Sequence, residues 1–591
     1  MLVLGINAYH ADAAAALYAD GRLVAAVEEE RLSRIKHCAG FPALAIPEVL
    51  KIGGVTLGDV DEIAIARDST ANLRKRLAYI VKNFRRTTKV AGKRLRDRAG
   101  LKELDAQIAE ACGLAPDKLK APIRRVEHHL AHAASSFLVS PFERAAILTL
   151  DGFGDFASAM WGVGEGSDIK VLGRVTYPHS LGILYTAVCQ YIGFDRYGDE
   201  GKVMGLAPYG DPTYSDFFNK LLRFTNDGFE LDLSFFNHHT EGVETGSDEY
   251  GSPSFTPLYT RKWIDQFGEA RQRGSEITQR DKDLAASLQT RLEDAFVHLA
   301  NLVQRRTGLT DLCLAGGVTL NGVANGKLLE HTPFERIYVQ PAAGDDGTAL
   351  GAAAWQSARA GQPRFEMRHA YWGSSFSDAE IERELAETPD LHVTRLEDDQ
   401  LYAETAKEIA DGKVVGWFQG AMEWGPRALG NRSIVAHPGH PRMKEVLNSR
   451  IKQREPFRPF APSIKAERLG DYFESDHESP FMLMVYWTRA DKREQLQAVD
   501  HVDHTGRVQT VRREDNERYW SLIDAFEQRT GIPCVLNTSF NENEPIVCTP
   551  REALDCYSRT KMDAVVLGNF ICTRVGDNAP AVLEQSNAAQ R

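Results

Sequence analysis

Four apolar runs in the first 360 residues each end in a polar or glycine-bearing turn, and this pattern constrains the fold more than any other feature. The opening "LVLGIN" leads into "AAALYADGRLVAAVEEER", where Asp20-Gly21 reads as a hairpin turn between alternating runs. "AAILTLDGFGD" (145–155) carries a second strand to Asp151 and a turn. "DLCLAGGVTLNGVANGKLLE" (311–330) reads strand, Gly316-Gly317, helix, and "VQPAAGDDGTALGAAAW" (339–355) ends a strand in a polar turn before a small-residue helix. Residues 281–307 place Leu284, Leu288, Leu292, Phe296, Leu299 and Val303 at helical spacing, so a long core-facing helix is expected, stopped by Gly308. Strands interleaved with helices predict an α/β fold.

The chain has 591 residues, enough for roughly three to five structural units or two larger domains. Its 43% hydrophobic and 26% charged residues place it in the globular class. The eight cysteines are scattered with no C-x-x-C pair, which argues against a disulfide framework or a cysteine-rich zinc site and fits a reducing cytoplasm. The N-terminus has no basic leader, and no apolar stretch approaches membrane-spanning length. A net charge of −12 argues against general nucleic-acid binding. Residues 74–102 depart from that balance, with twelve Lys/Arg and one acid, Asp97. Two readings stay open: a solvated helical face, or a patch for a polyanionic or lipid-phosphate acceptor or a membrane surface. Residues 360–372 read as a boundary, beyond which strands and loops rich in Arg, Asn and Gly follow. The small, polar tail after Asp577 is expected to fray, and no internal repeat is visible.

"EHHLAHAASSF" (127–137) sets His128 and His132 four apart, on one helix face, with His129 turned about 100° away. Asp151 and Asp345, at the ends of other strands, would complete a mixed N/O site suited to Fe(II), or less specifically to Zn(II) or Mn(II). Spacing alone leaves a hydrogen-bonded histidine cluster as the alternative. Gly316-Gly317 before a helix would let backbone N–H groups approach a nucleotide, with Asn321 beside them, and no P-loop is present. Arg427, Arg432, Lys452, Arg454 and Arg458 lie in two loop segments with few acids nearby, a phosphate site or an exposed basic patch. Asn537, Thr538, Ser539 and Asn541 close a strand with neutral groups fit for an amide or carboxyl-like moiety.

"HHLAHA", "LDGFGD", "DEGKVMGLAPYG", "GGVTLN", "GDDGTALGA", "EWGPRALGNRSI", "IKQREPFRPFAPS" and "VLNTSFNENEPIVCTP" occur in an order and spacing that resembles the NodU/CmcH/TobZ carbamoyltransferase family, over roughly residues 1–575. The resemblance implies an actin/sugar-kinase-like domain (1–360), a linker (361–372), a YrdC-like α/β domain (373–577) and a disordered tail (578–591). It assigns His128, His132, Asp151 and Asp345 to a metal, iron by expectation, and prefers Asp345 to Asp346 because the family's Asp directly follows "AAG". Gly316, Gly317, Asn321 and Lys202 fall where a nucleotide is held. Lys452 and Arg454 fall on the Lys-x-Arg of the YrdC-like site, with Arg427, Arg432, Arg458, Asn537 and Ser539 around it for carbamoyl phosphate and ATP. Relatives that read His-Asp-Ala-Ser near the N-terminus use that His on the acceptor; here "YHADAAAAL" displaces it by one residue, leaving His10 as the candidate base. The implied reaction turns carbamoyl phosphate and Mg-ATP into carbamoyladenylate and transfers the carbamoyl group to a hydroxyl of a small molecule or sugar. A homodimer is implied as well. The alternatives are a tRNA threonylcarbamoylation-type enzyme and a nucleotide-binding sensor or scaffold on the same fold.

Overall fold

The computed structural model describes residues 1–83, 104–243, 245–247 and 253–576. They form two compact units, Met1–Met367 and the chain from Arg368 onward. In the first unit β1 (Leu2–Asn7), β2 (Ala14–Ala19) and β3 (Arg22–Glu28) pair antiparallel, and β4 (Glu62–Ile65) and β5 (Ile123–Arg125) add in parallel, in the order β3-β2-β1-β4-β5. The turn between β2 and β3 is Asp20-Gly21 as expected, with φ of 50° and 83°, conformations that suit a tight hairpin. Next come β6 (Arg144–Gly154), β7 (Ala157–Glu165) and β8 (Asp168–Thr176), then two short hairpins, β9 (Leu222–Thr225) with β10 (Gly228–Leu231) and β11 (Thr245–Ser247) with β12 (Pro253–Phe255). The hairpins stand apart as two-stranded sheets, while β6, β7 and β8 build a second five-stranded sheet with β13 (Asp311–Ala315) and β14 (Arg336–Val339), ordered β14-β13-β6-β7-β8. Its first three strands are again antiparallel and its last two again parallel. The same topology therefore occurs twice, the arrangement expected of an actin/sugar-kinase-like domain. No repeat was legible in the residues, because each copy needs only the same burial pattern.

Two helices lie between these sheets. His128–Phe137 packs on β6 and β13, Gly347–Arg359 packs on β1, β2 and β4, and the two pack on each other. The approach is too close for side chains: a Cβ on Gly351 would fall 1.9 Å from the Ala131 carbonyl oxygen, and one on Gly5 2.0 Å from that of Ala349. The small-residue run after Asp346 is thus a packing requirement. The long helix is Gln279–Thr307, opened by a Thr278/Asp281 capping box and closed by Gly308 at φ +67°, and all six of its expected apolar positions are buried. Residues 361–367 are fastened to the first unit: Arg364 donates to the carbonyls of Phe137, Ser140 and Phe142, and the Met367 N–H to Val139.

The second unit is one nine-stranded mixed sheet: β15 (Leu391–Arg395), β16 (Val415–Phe418), β17 (Arg432–Ala436), β18 (Ala461–Lys465), β19 (Met484–Trp487), β20 (Thr505–Val511), β21 (Cys534–Ser539), β22 (Ala564–Leu567) and β23 (Phe570–Arg574). Their order is β15-β23-β22-β16-β17-β21-β18-β20-β19. Helices Asp398–Ala410, Glu517–Thr530 and Pro550–Arg559 pack against it. The expected disordered tail and most of the basic segment 74–102 lie outside the described residues. Among those described, no helix is long and apolar enough to cross a membrane.

Candidate functional site

Both interior helices of the first unit begin at one place, and that is where the histidines and aspartates meet. The His128 and His132 Nε2 atoms stand 3.1 Å apart, as an i, i+4 pair on one face allows. Asp151 lies in β6 where its ladder with β7 is interrupted, and reaches His128 Nε2 at 3.3 Å. Asp345, in the turn after β14, comes within 3.4 Å of His128 Nε2 and 3.5 Å of His132 Nε2. Atoms bound about 2.1 Å from one ion lie about 3.0 Å apart when cis in an octahedron and about 3.4 Å apart in a tetrahedron. The separations of 3.1–3.5 Å therefore match the edges of a coordination polyhedron. All four donors lie within 4.8 Å of one another. The cluster can chelate a metal ion.

His129 turns away, with Nδ1 2.7 Å from the Thr149 hydroxyl. Burial, then the neighbouring His128 and His132, push its pKa down to about 3, so it is a neutral structural residue. His10 comes to the cluster from the turn after β1: its ring stacks on that of His128 with centroids 4.9 Å apart, and its Nδ1 lies 3.6 Å from Asp345 Oδ2.

The glycine pair serves this cluster. Gly317 donates its N–H to Asp151 Oδ1 at 3.0 Å, leaving Oδ2 directed at His128. Gly316 sits at φ +96°, and a Cβ there would lie 2.2 Å from the Leu150 carbonyl oxygen. Asn321 caps the helix Gly322–His331 through the Ala324 N–H and exchanges hydrogen bonds with Gln289, while Lys202 pairs with Asp199 at 2.8 Å. Both side chains expected at a nucleotide thus have protein partners. The adjacent aspartates separate: burial would raise Asp345, but the charge of His128 and hydrogen bonds from His10, His128 and His132 hold its carboxyl well below the usual range. Asp346 is pushed well up by burial and by Asp12 and Glu28, and its side chain accepts from Gly347 N–H to cap the next helix.

The second unit gathers four arginines from separate loops and strands. Arg427 follows β16, Arg454 and Arg458 precede β18, and Arg507 projects from β20. Burial and Arg458 lower Arg427 to about 10. Burial and Arg458 likewise lower Arg454, and burial with Arg427, Arg454 and Arg458 lowers Arg507, both well below the usual guanidinium range. The Nε atoms of Arg427 and Arg507 are buried without a partner among the described residues, and Glu455 lies 3.7 Å from Arg458. Guanidiniums this close together in one half-buried pocket could hold an anion.

Family models for the carbamoyltransferase N-terminus and C-terminus match residues 2–354 and 406–574. The chain belongs to the carbamoyltransferase family. It is 41% identical to nodulation protein NolNO of Sinorhizobium fredii, over 96% of this chain and 79% of that one. It is 29% identical to a 3'-hydroxymethylcephem-O-carbamoyltransferase of Amycolatopsis lactamdurans, over 96% and 98% of the two chains. An uncharacterized protein of Synechocystis matches at 41%, over 97% and 96%.

Within this carbamoyltransferase the expected anion residues divide. Arg427, Arg454 and Arg458 form the pocket. Arg432 does not: it is fully buried, stacks on Phe418 at 3.7 Å and donates to the carbonyls of Gln419, Gly420, Asn431, Ser374 and Cys548. A guanidinium committed to main-chain carbonyls pins loops and has no donors left for phosphate. Asn537 is likewise interior, donating to Ala428, Ser463 and Gln509. The Lys452 ammonium donates to the Asn541 carbonyl and side-chain oxygens, both at 2.7 Å, and to Ser539, so it holds the 539–541 turn from beneath. The Ser539 hydroxyl donates to Asn541 Oδ1 at 2.8 Å. Sequence reasoning missed Arg507. Its signal was a cation inside the short strand "TGRVQTV", two residues from the buried Gln509.

Proposed function

We propose that the chain is an ATP- and carbamoyl phosphate-dependent O-carbamoyltransferase whose two units carry separate half-reactions. The observation that carries the division is the unbalanced arginine pocket of the second unit set against the His/Asp cluster of the first. The second unit works in a YrdC-like manner. Water splits carbamoyl phosphate into carbamate and phosphate, a carbamate oxygen attacks the ATP α-phosphorus, and pyrophosphate leaves. Arg427, Arg454, Arg458 and Arg507 hold the two polyanions and oppose the charge that builds on the phosphates. Lys452 keeps the 539–541 turn in place beside them.

In the first unit, His128, His132, Asp151 and Asp345 would hold a metal, Fe(II) by preference for the mixed N/O donor set, and the ion would polarise the carbamoyl carbonyl. With its Nδ1 toward Asp345, His10 keeps Nε2 to take the proton of the acceptor hydroxyl. The acceptor oxygen bonds to the carbamoyl carbon, the bond to AMP breaks, and an O-carbamate remains. The acceptor is a small-molecule or sugar hydroxyl, a choice supported by relatives named for nodulation and for a hydroxymethylcephem.

The test separates the halves by pyrophosphate assay and mass spectrometry of the product. Arg454→Ala is expected to lose pyrophosphate release and product together, about 100-fold or more, and to regain product with synthetic carbamoyladenylate. His132→Ala is expected to keep pyrophosphate release and to gain nothing from the adenylate. A folded Arg454→Ala that the adenylate did not rescue would sink the scheme.

A further inference from the structure

The helix Leu73–Lys82 turns its apolar side chains outward. Leu73, Leu77 and Val81 are 46%, 51% and 77% exposed, and at i, i+4 and i+8 they form one stripe. The opposite face anchors the helix: Tyr79 packs edge-on against Phe156 and Tyr177, and Arg76 lies over Phe156 and donates to the Ser69 carbonyl. Arg74 borders the stripe, Lys82 and Lys75 lie farther round the same exposed side, and no ion pair engages the three among the described residues. The helix carries four cations and no acid in a chain of net charge −12. The sequence left a solvated face open as a reading, but a solvated face would be polar, and this one is not.

We propose that the helix Leu73–Lys82 docks on an anionic lipid bilayer, with Leu73, Leu77 and Val81 entering the headgroup–acyl boundary and Arg74, Lys75 and Lys82 meeting lipid phosphates. Apolar residues flanked by cations are what an interfacial helix needs. A nucleic acid would satisfy the cations and leave the stripe wet. A second copy would cover the stripe but bring like charges together. The surface is independent of the carbamoyl chemistry, so either reading can fail alone.

The experiment is flotation of the full-length protein with vesicles of phosphatidylcholine, with and without phosphatidylglycerol, at low and high salt. Binding is expected on the anionic vesicles, weaker in salt, and near background on the neutral ones. Lys75→Gln/Lys82→Gln should weaken partition roughly 30-fold, the worth of two interfacial cations. Leu77→Ser/Val81→Ser should weaken it about 10-fold or more. Unchanged melting curves check folding. Equal binding to both vesicle types, no binding to either, or undiminished binding by Leu77→Ser/Val81→Ser overturns the proposal. So does a wild-type dimer, measured by light scattering, that this variant converts to monomer, since the stripe would then join two copies.

Discussion

Replacing Arg507 by leucine should make the protein more stable and less able to bind polyphosphate. The pocket holds four guanidiniums, and Arg507 is lowered by burial and by all three neighbours, Arg427, Arg454 and Arg458. Relieving one uncompensated, partly buried cation is worth about 1–2 kcal/mol, within the range seen when buried ionic groups are replaced by apolar ones. For a unit of this size that corresponds to a rise in Tm of about 2–8 °C. The anion term runs the other way. Pyrophosphate at a hundredfold excess over its Kd should stabilise the wild type by about 2.7 kcal/mol. If losing one donor weakens binding about 100-fold, the same concentration stabilises Arg507→Leu by only about 0.4 kcal/mol. Differential scanning calorimetry with and without pyrophosphate reads both terms. A lower Tm for the unliganded variant, or no wild-type response to pyrophosphate, would refute the view that these cations are held apart for an anion.

Three further outcomes follow from the first unit. Asp345→Asn should reduce metal content, read by elemental analysis, whereas Asp346→Asn should retain it, because an amide oxygen can still accept from Gly347 N–H. Gly316→Ala should destabilise by about 2–4 kcal/mol in urea unfolding, since φ +96° and a Cβ 2.2 Å from the Leu150 carbonyl act together. Burial would lower the pKa of His37, but Asp12 at 2.7 Å and Glu30 raise it to about 9. Its stabilisation is therefore full below pH about 6.5 and disappears as pH rises through about 9, at most about 3 kcal/mol, and a stability profile from pH 6 to 9.5 should flatten in His37→Gln.

Much of this protein was set by its residues in local order. Apolar runs closed by Asp20-Gly21, Gly316-Gly317 and Gly308 determined where strands turned and the long helix stopped, because φ > 0 and hydrophobic periodicity act over a few residues. Four-residue spacing likewise put His128 and His132 on one face. What tertiary structure alone decided was which polar groups still have hydrogen-bonding capacity to offer. Arg432 and Arg507 are alike as letters, yet one gives its donors to five carbonyls and the other is left among cations. Asp345 and Asp346 are neighbours in sequence, and only packing sends one to the histidines and the other to a helix cap. The doubled sheet was invisible for the same reason: strand order is fixed by which distant runs bury each other, and many sequences satisfy that equally well.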